Sequence, residues 1–376
     1  MTKNEKKIKK TVGVLGCFGT IGYCVTEKLL RNGLQVIGAQ RRPSTLFQEM
    51  DNFQFFQVDI CNADELEQFC RQCDLVINCI SPAYLYGSII AKAAASVGAI
   101  YLDGVGVVLE DKTIPENGTY IISSGYVPGL SEFLPKAIIK KEFDSAERVV
   151  VYQGGTELCS EAAFADIVLS GENSGYSESS YHNGTIRPFH VNMRNKYEFP
   201  DFPNKVMLKS FLGYEMLSLA KHMNLCDLYW LNAYQDMSNI NLLLRAVRCS
   251  AGCNEKEEAA EKIKNCMREY IMTMPKKETY ALLGMEIIGN KSGAEKIIQS
   301  CLYLKNSSRI CGYTLAETAI CALRNPVASG IHFAYEIIDT DYLSSLKTEL
   351  QSGEYLYIRE IPREEAILLK EPFISK

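Results

Sequence analysis

The sequence predicts an α/β protein, a doubly wound parallel sheet carrying an inserted α+β domain. Over residues 11–123, short apolar segments alternate with segments of helical period. Strands that alternate with helices pair in parallel, with helices on both faces. A glycine-spaced loop, Gly16-Cys17-Phe18-Gly19-Thr20-Ile21-Gly22, joins the first strand to the first helix. Beyond Gly125 the alternation stops, and β-branched strands mixed with helices follow.

Taken in order, residues 11–15 read as a strand, 21–32 as a helix closed by Gly33, and 35–39 and 53–60 as further strands. Residues 63–72 are helical, 74–80 form a continuous apolar strand, and 88–97 a helix ending at Gly98. Strands 100–103 and 119–123 close the series. In the later part, 148–153 is a strand, 160–169 a helix, and 171–188 a polar loop rich in Gly, Ser and Asn. Residues 213–222 and 255–273 read as helices, and strands 279–289 and 294–305 flank a turn at 290–293. Late helices are expected at 313–323 and 331–338, and the charged, mixed residues 346–376 are left unassigned.

Composition narrows the function. The 376 residues suggest two domains, and 47% hydrophobic with 23% charged residues is the balance of a soluble globular protein. A net charge of −5 lacks the positive footprint of a nucleic-acid binder. The basic run at 3–10 reads as a solvated tail; the apolar stretch behind it is too short for a secretory signal. No apolar run reaches the roughly 18 residues of a membrane span. Fourteen scattered cysteines, several in apolar segments, suit a reduced cytoplasmic chain. Cys70 with Cys73 and Cys249 with Cys253 each lack a second pair, so no metal site is expected.

The loop after the first strand is G-x-x-G-x-x-G between a strand and a helix, the setting that makes this pattern informative. Gly16 permits the tight turn, Gly19 the approach of a pyrophosphate, and Gly22 close helix–strand contact. The N–H groups of Thr20 and Ile21 and the loop residue Phe18 complete the candidate site. A Rossmann-type dinucleotide site that takes NAD usually has Asp or Glu at the end of the second strand; here Gln40 is followed by Arg41 and Arg42. Guanidinium groups suit a 2′-phosphate, so NADPH is the expected cofactor. Asp59 and Ile60 at the end of the third strand, and Cys79, Ser81 and Pro82 after the fourth, fall on the same crevice side. Asp59 could equally be a helix-entry residue.

These segments resemble the saccharopine dehydrogenase/reductase-like family. The resemblance rests on residues 12–30, Asn78-Cys79-Ile80-Ser81-Pro82 with Tyr84 and Gly87, Tyr101-Leu102-Asp103, and Gly125-Tyr126-Val127-Pro128-Gly129. It implies a Rossmann domain of residues 1–125 with a returning segment near 325–345, a substrate domain at 126–324, and NAD(P)-linked chemistry on a C–N bond. Imine reduction and reductive joining of an amino acid to a carbonyl both fall in that range, in natural-product pathways among others. Arg187 and Arg194 are the only arginines near the polar loop, which does not point to a dicarboxylic amino acid such as saccharopine.

Reduction of an imine needs a proton donor beside the hydride source. The candidates are His182 in the polar loop acting as a lid, Asp103 at the end of the fifth strand, Tyr126 and Tyr84. The expected partner is a small amino-acid-derived substrate, with a homodimer left open. The alternative is a nucleotide-binding sensor or assembly partner without turnover, since no obvious catalytic pair stands out.

Overall fold

The computed structural model describes residues 10–109, 111–273, 278–370 and 373. The basic run at 3–10 lies outside them except for Lys10, which pairs with Asp74 at 2.8 Å. The chain divides into two compact units, Met1–Gly129 with Ser308–Asp339, and Leu130–Ser307 with Thr340–Lys376.

The first unit begins with β1 (Thr11–Leu15), α1 (Thr20–Arg31), β2 (Gln35–Gln40), β3 (Phe53–Gln57), α2 (Ala63–Cys70) and β4 (Leu75–Asn78). It continues with α3 (Ala83–Ser96), β5 (Ile100–Asp103) and β6 (Thr119–Ile122). Local chemistry accounts for these boundaries. Lys28 and Arg31 occupy the last turn of α1, where cations favour the helix dipole, and Gly33 takes φ 75° just beyond it. The Asn62 side chain accepts from the N–H groups of Asp64 and Glu65 and starts α2. Every residue of β4 is buried, as a central parallel strand requires.

In the second unit, α4 (Leu130–Glu142) leads to β7 (Ser145–Gly155) and α5 (Glu161–Ser170). Three short strands follow, β8 (Gly175–Ser177), β9 (Ser179–His182) and β10 (Thr185–Pro188). Then come β11 (Met207–Gly213), α6 (Tyr214–His222), β12 (Asp227–Tyr234), α7 (Ser238–Ser250), α8 (Lys256–Thr273), β13 (Ala281–Lys291) and β14 (Ala294–Leu304). Ser292 (φ 52°) and Gly293 (φ 82°) make the tight turn of the β13–β14 hairpin. The chain re-enters the first unit through α9 (Ser307–Arg324), β15 (Gly330–Phe333) and α10 (Ala334–Ile337). It ends in the second unit with α11 (Tyr342–Thr348) and β16 (Tyr355–Glu360).

Among the described residues, the first unit holds a seven-stranded sheet in the order β15-β6-β5-β4-β1-β2-β3. All its pairings are parallel. The sequence order reverses between β4 and β1, the switch point of a doubly wound sheet. The second unit holds a mixed nine-stranded sheet with the path β10-β9-β12-β7-β13-β14-β16. On one of its faces Tyr152, Leu231, Leu282 and Cys301 form a core with Ile367, Leu368 and Phe373 from the end of the chain.

Four expectations are corrected. Residues 171–188 are not an open loop: they contain β8, β9 and β10. Their polarity reflects exposure, since every residue of β10 faces solvent. Residues 331–338 are not a helix but β15 followed by the short α10, because Gly330–Phe333 adds a parallel edge to β6. Helix α9, counted with 126–324 in the sequence, belongs to the first unit. Gly312 lets it approach α1, where an added Cβ would lie 2.6 Å from the Cys24 Cβ. Lys28 pairs with Glu317 at 3.3 Å, and the Tyr313 hydroxyl donates to Glu27 at 2.9 Å. Helix α3 begins at Ala83 rather than 88, with Pro82 as its N-cap. The unassigned C-terminal stretch pairs as β16 against β14.

Candidate functional site

Because the first sheet is wholly parallel, the loops after β1 to β6 all emerge at one edge. The loop after β1 is the tightest. Gly16 takes φ 80°, and its N–H donates to the Ala39 carbonyl at 2.8 Å. The Gly19 N–H donates back to the Gly16 carbonyl at 2.9 Å. Gly19 is the N-cap of α1, and no side chain caps it. A Cβ on Gly19 would touch only the Gly16 carbonyl, at 3.2 Å, and otherwise face open space; one on Gly22 would lie 2.1 Å from that carbonyl. Gly22 is thus required by close contact between helix and loop, and Gly19 leaves the helix N-terminus open. Thr20 is exposed and Ile21 half-buried in the first turn.

Phe18 joins the loop to the neighbouring strands. Its N–H donates to Gln40 Oε1 at 3.2 Å, and its ring stacks on Phe55 at 5.5 Å and 24°. Arg41 and Arg42, just past β2, are exposed. Neither makes a hydrogen bond or ion pair with the described residues. These features fit a phosphorylated dinucleotide: an uncapped helix N-terminus offers donors to the pyrophosphate, and two unpartnered guanidiniums lie at the strand end that meets the ribose.

Asp59 is exposed, accepts from the Cys61 N–H at 3.0 Å, and sends its own N–H to Glu65 at 2.8 Å. Its contacts are those of a helix-entry turn. Ile60 packs against the core of the first unit. After β4, the Cys79 N–H donates to the Leu15 carbonyl at 3.0 Å, and burial pushes the Cys79 thiol well above its ordinary pKa. The Ser81–Pro82 peptide is cis, with Ser81 exposed and Pro82 buried.

Asp103 is buried with Tyr101 and Asn78. Asn78 Nδ2 donates to the Tyr101 hydroxyl at 3.2 Å, which donates to Asp103 Oδ2 at 2.7 Å. Asp103 Oδ1 accepts from the Val105 N–H at 3.0 Å. Burial, and then the Asp103 carboxylate beside it, hold the Tyr101 phenol well above its ordinary pKa. This chain of bonds ties the ends of β4 and β5 together. Tyr84, in the first turn of α3, and Tyr126, in the Gly125–Gly129 turn, are half-buried. His182 belongs to the second unit, at the end of β9, where its Nδ1 lies 2.5 Å from Asp227 Oδ1. Arg148 holds the same carboxylate at 3.0 Å. Sequence reasoning passed over Tyr101 and the Gln40–Phe18 bond. The alternation along β5 puts Tyr101 and Asp103 on one face and offered a signal for the first, whereas the second joins residues 22 apart and carries none.

The fold and the glycine loop define a dinucleotide-binding domain of the doubly wound class. Residues 12–124 match the family model described as the saccharopine dehydrogenase NADP binding domain, so this part of the chain is an NADP-binding domain of that family. The saccharopine dehydrogenase (L-Glu forming) from Saccharomyces cerevisiae has a similar structure. It aligns at a TM-score of 0.64 and 15% identity over 94% of this chain and 100% of that chain, a likeness of fold. An anaerobillin reductase from Escherichia coli O157:H7 aligns over 30% of this chain and 71% of its own at 17% identity, with a TM-score of 0.25. Vestitone reductase from alfalfa aligns over 25% and 36%, at 21% identity and a TM-score of 0.23. Comparison of the sequence with curated proteins finds no match.

Proposed function

We propose that the protein is an NADPH-dependent oxidoreductase acting on the C=N or CH–NH group of a small amino-acid-derived molecule. The observation that carries the reading is the open N-terminus of α1 beside the unpartnered Arg41 and Arg42. The fold shared with a saccharopine dehydrogenase supports the C–N class. Gly16, Phe18, Gly19, Thr20, Ile21 and Gly22 would hold the pyrophosphate and Arg41 and Arg42 the 2′-phosphate. The ends of β3 and β4, with Asp59, Ile60, Cys79, Ser81 and Pro82, would flank the rest. The bound nicotinamide supplies or accepts a hydride. The protein's own task is then to orient the substrate and deliver a proton to its nitrogen. Tyr84 and Tyr126 follow β4 and β6 at the nucleotide edge and are assigned as donors. Asp103, with both oxygens engaged, positions that edge. His182 is engaged with Asp227, which supports a role in holding β9. Fourteen unbridged thiols favour a reducing compartment, the cytoplasm.

The test is NADPH consumption with a panel of cyclic imines and amine–keto acid mixtures. Turnover of at least one is expected. Tyr126→Phe or Tyr84→Phe should lower kcat about 10²–10⁴-fold and leave NADPH affinity unchanged. Tight binding without turnover across the panel would instead mark a nucleotide-responsive sensor.

A further inference from the structure

The carboxamide of Gln40 is oriented by a backbone group. The Phe18 N–H can be met only by an oxygen, and Gln40 Oε1 meets it at 3.2 Å. This leaves the Nε2 amide with two hydrogens, and it makes no hydrogen bond with the described residues. Gln40 is the last residue of β2, half-buried, and immediately precedes the exposed Arg41 and Arg42.

A carboxylate at this strand end accepts from a ribose 2′-hydroxyl. The Gln40 side chain is neutral, and with its oxygen held by the glycine loop its two amide hydrogens are left available. Its remaining donors match the oxygens of a 2′-phosphate. A 2′-hydroxyl can accept from the same amide, but a doubly charged phosphate gains more from it, whereas a carboxylate at this position would repel the phosphate.

We propose that Gln40 is a specificity-determining residue, oriented by Phe18 to offer its amide donors and so to favour the 2′-phosphorylated dinucleotide together with Arg41 and Arg42. The inference rests on the NADPH reading above. It adds that selectivity comes from the polarity of a neutral side chain as well as from cationic charge.

The experiment measures NADPH and NADH dissociation constants for the full-length chain, Gln40→Glu, Gln40→Met and the double variant Arg41→Ala/Arg42→Ala, with apo unfolding curves recorded beside them. Gln40→Glu keeps an acceptor for Phe18 and replaces the donors by a carboxylate oxygen. It should lower the preference for NADPH by about tenfold or more, by weakening NADPH and sparing or strengthening NADH. Gln40→Met, with neither donor nor acceptor, should lower it by a smaller factor. Should Gln40→Glu keep the parent's ratio while the arginine variant loses it, the inference on Gln40 falls and the NADPH reading stands. Loss of both nucleotides in either Gln40 variant would reduce Gln40 to a support of the loop and overturn the inference. Equal affinities in the parent would overturn both.

Discussion

At the residue scale, the two later glycines of the loop do different work. Gly19→Val should abolish NADPH binding in a titration and move the apo unfolding curve little. Its Cβ would meet only one carbonyl, at 3.2 Å, before reaching space that a phosphate needs. Gly22→Ala forces a Cβ to 2.1 Å from the Gly16 carbonyl. It should cost about 1–3 kcal/mol of stability in urea, as overpacking does, whether or not nucleotide is present. If both variants behave alike, the division of roles is wrong. The glycine spacing was legible in the sequence because the turn at Gly16 takes φ 80° and Gly22 lies against the Gly16 carbonyl. The contacts of Asp103 were not. Tyr101→Phe tests them: it strips one donor from a buried carboxylate and should cost about 1–3 kcal/mol in the same measurement.

At the scale of elements, helix α6 shows how burial sets a charge. Glu215 folds back over the N-cap, so that a Cβ on Gly213 would lie 2.1 Å from its carboxylate oxygen. Burial pushes its pKa from 4.5 up to about 7, against the pull of its own backbone N–H. A raised carboxyl pKa means that the folded state holds the proton more tightly. The stabilisation is complete below 4.5 and is lost as pH rises through about 7. Urea midpoints should therefore fall between about pH 5 and pH 8 in the parent, and fall less in Glu215→Gln. An identical slope in the two proteins would remove this group from the account. Several strands escaped the sequence reading for a related reason. In β9 and β10, Ser, His, Thr and Arg stand where apolar alternation is expected. Pairing of β9 with β12 and of β10 with β9, not local composition, makes them strands. Helix α7 was also missed; Leu242 and Ala246 are its buried residues, and Leu244 and Val247 beside them are exposed.

At the scale of the whole molecule, nucleotide binding is predicted to register in one unit. Addition of NADPH should slow amide exchange most in residues 11–42 and least in the strands of the second sheet. Protection confined to residues 150–300 would contradict the assignment. The first unit was the more legible because β1, β3 and β4 are each followed by a helix within the same stretch of chain. The second draws its sheet from segments as distant as β7 and β16, and no local pattern announces such pairings.

The edge strand β15 has a consequence for synthesis. Gly330 pairs with Thr119, so the partner of β6 leaves the ribosome only after about 200 further residues, roughly ten to forty seconds at ordinary elongation rates. For that interval β6 is exposed along one side, α1 lacks the cover of α9, and residues 130–307 of the second unit are being made. The nascent nucleotide domain is an unfinished sheet with a sticky border, and chaperone demand should peak there. Moving residues 307–339 to a position directly after 129 would test this: the rearranged chain should refold faster, with less aggregation, while its β6–β15 pairing stays the same.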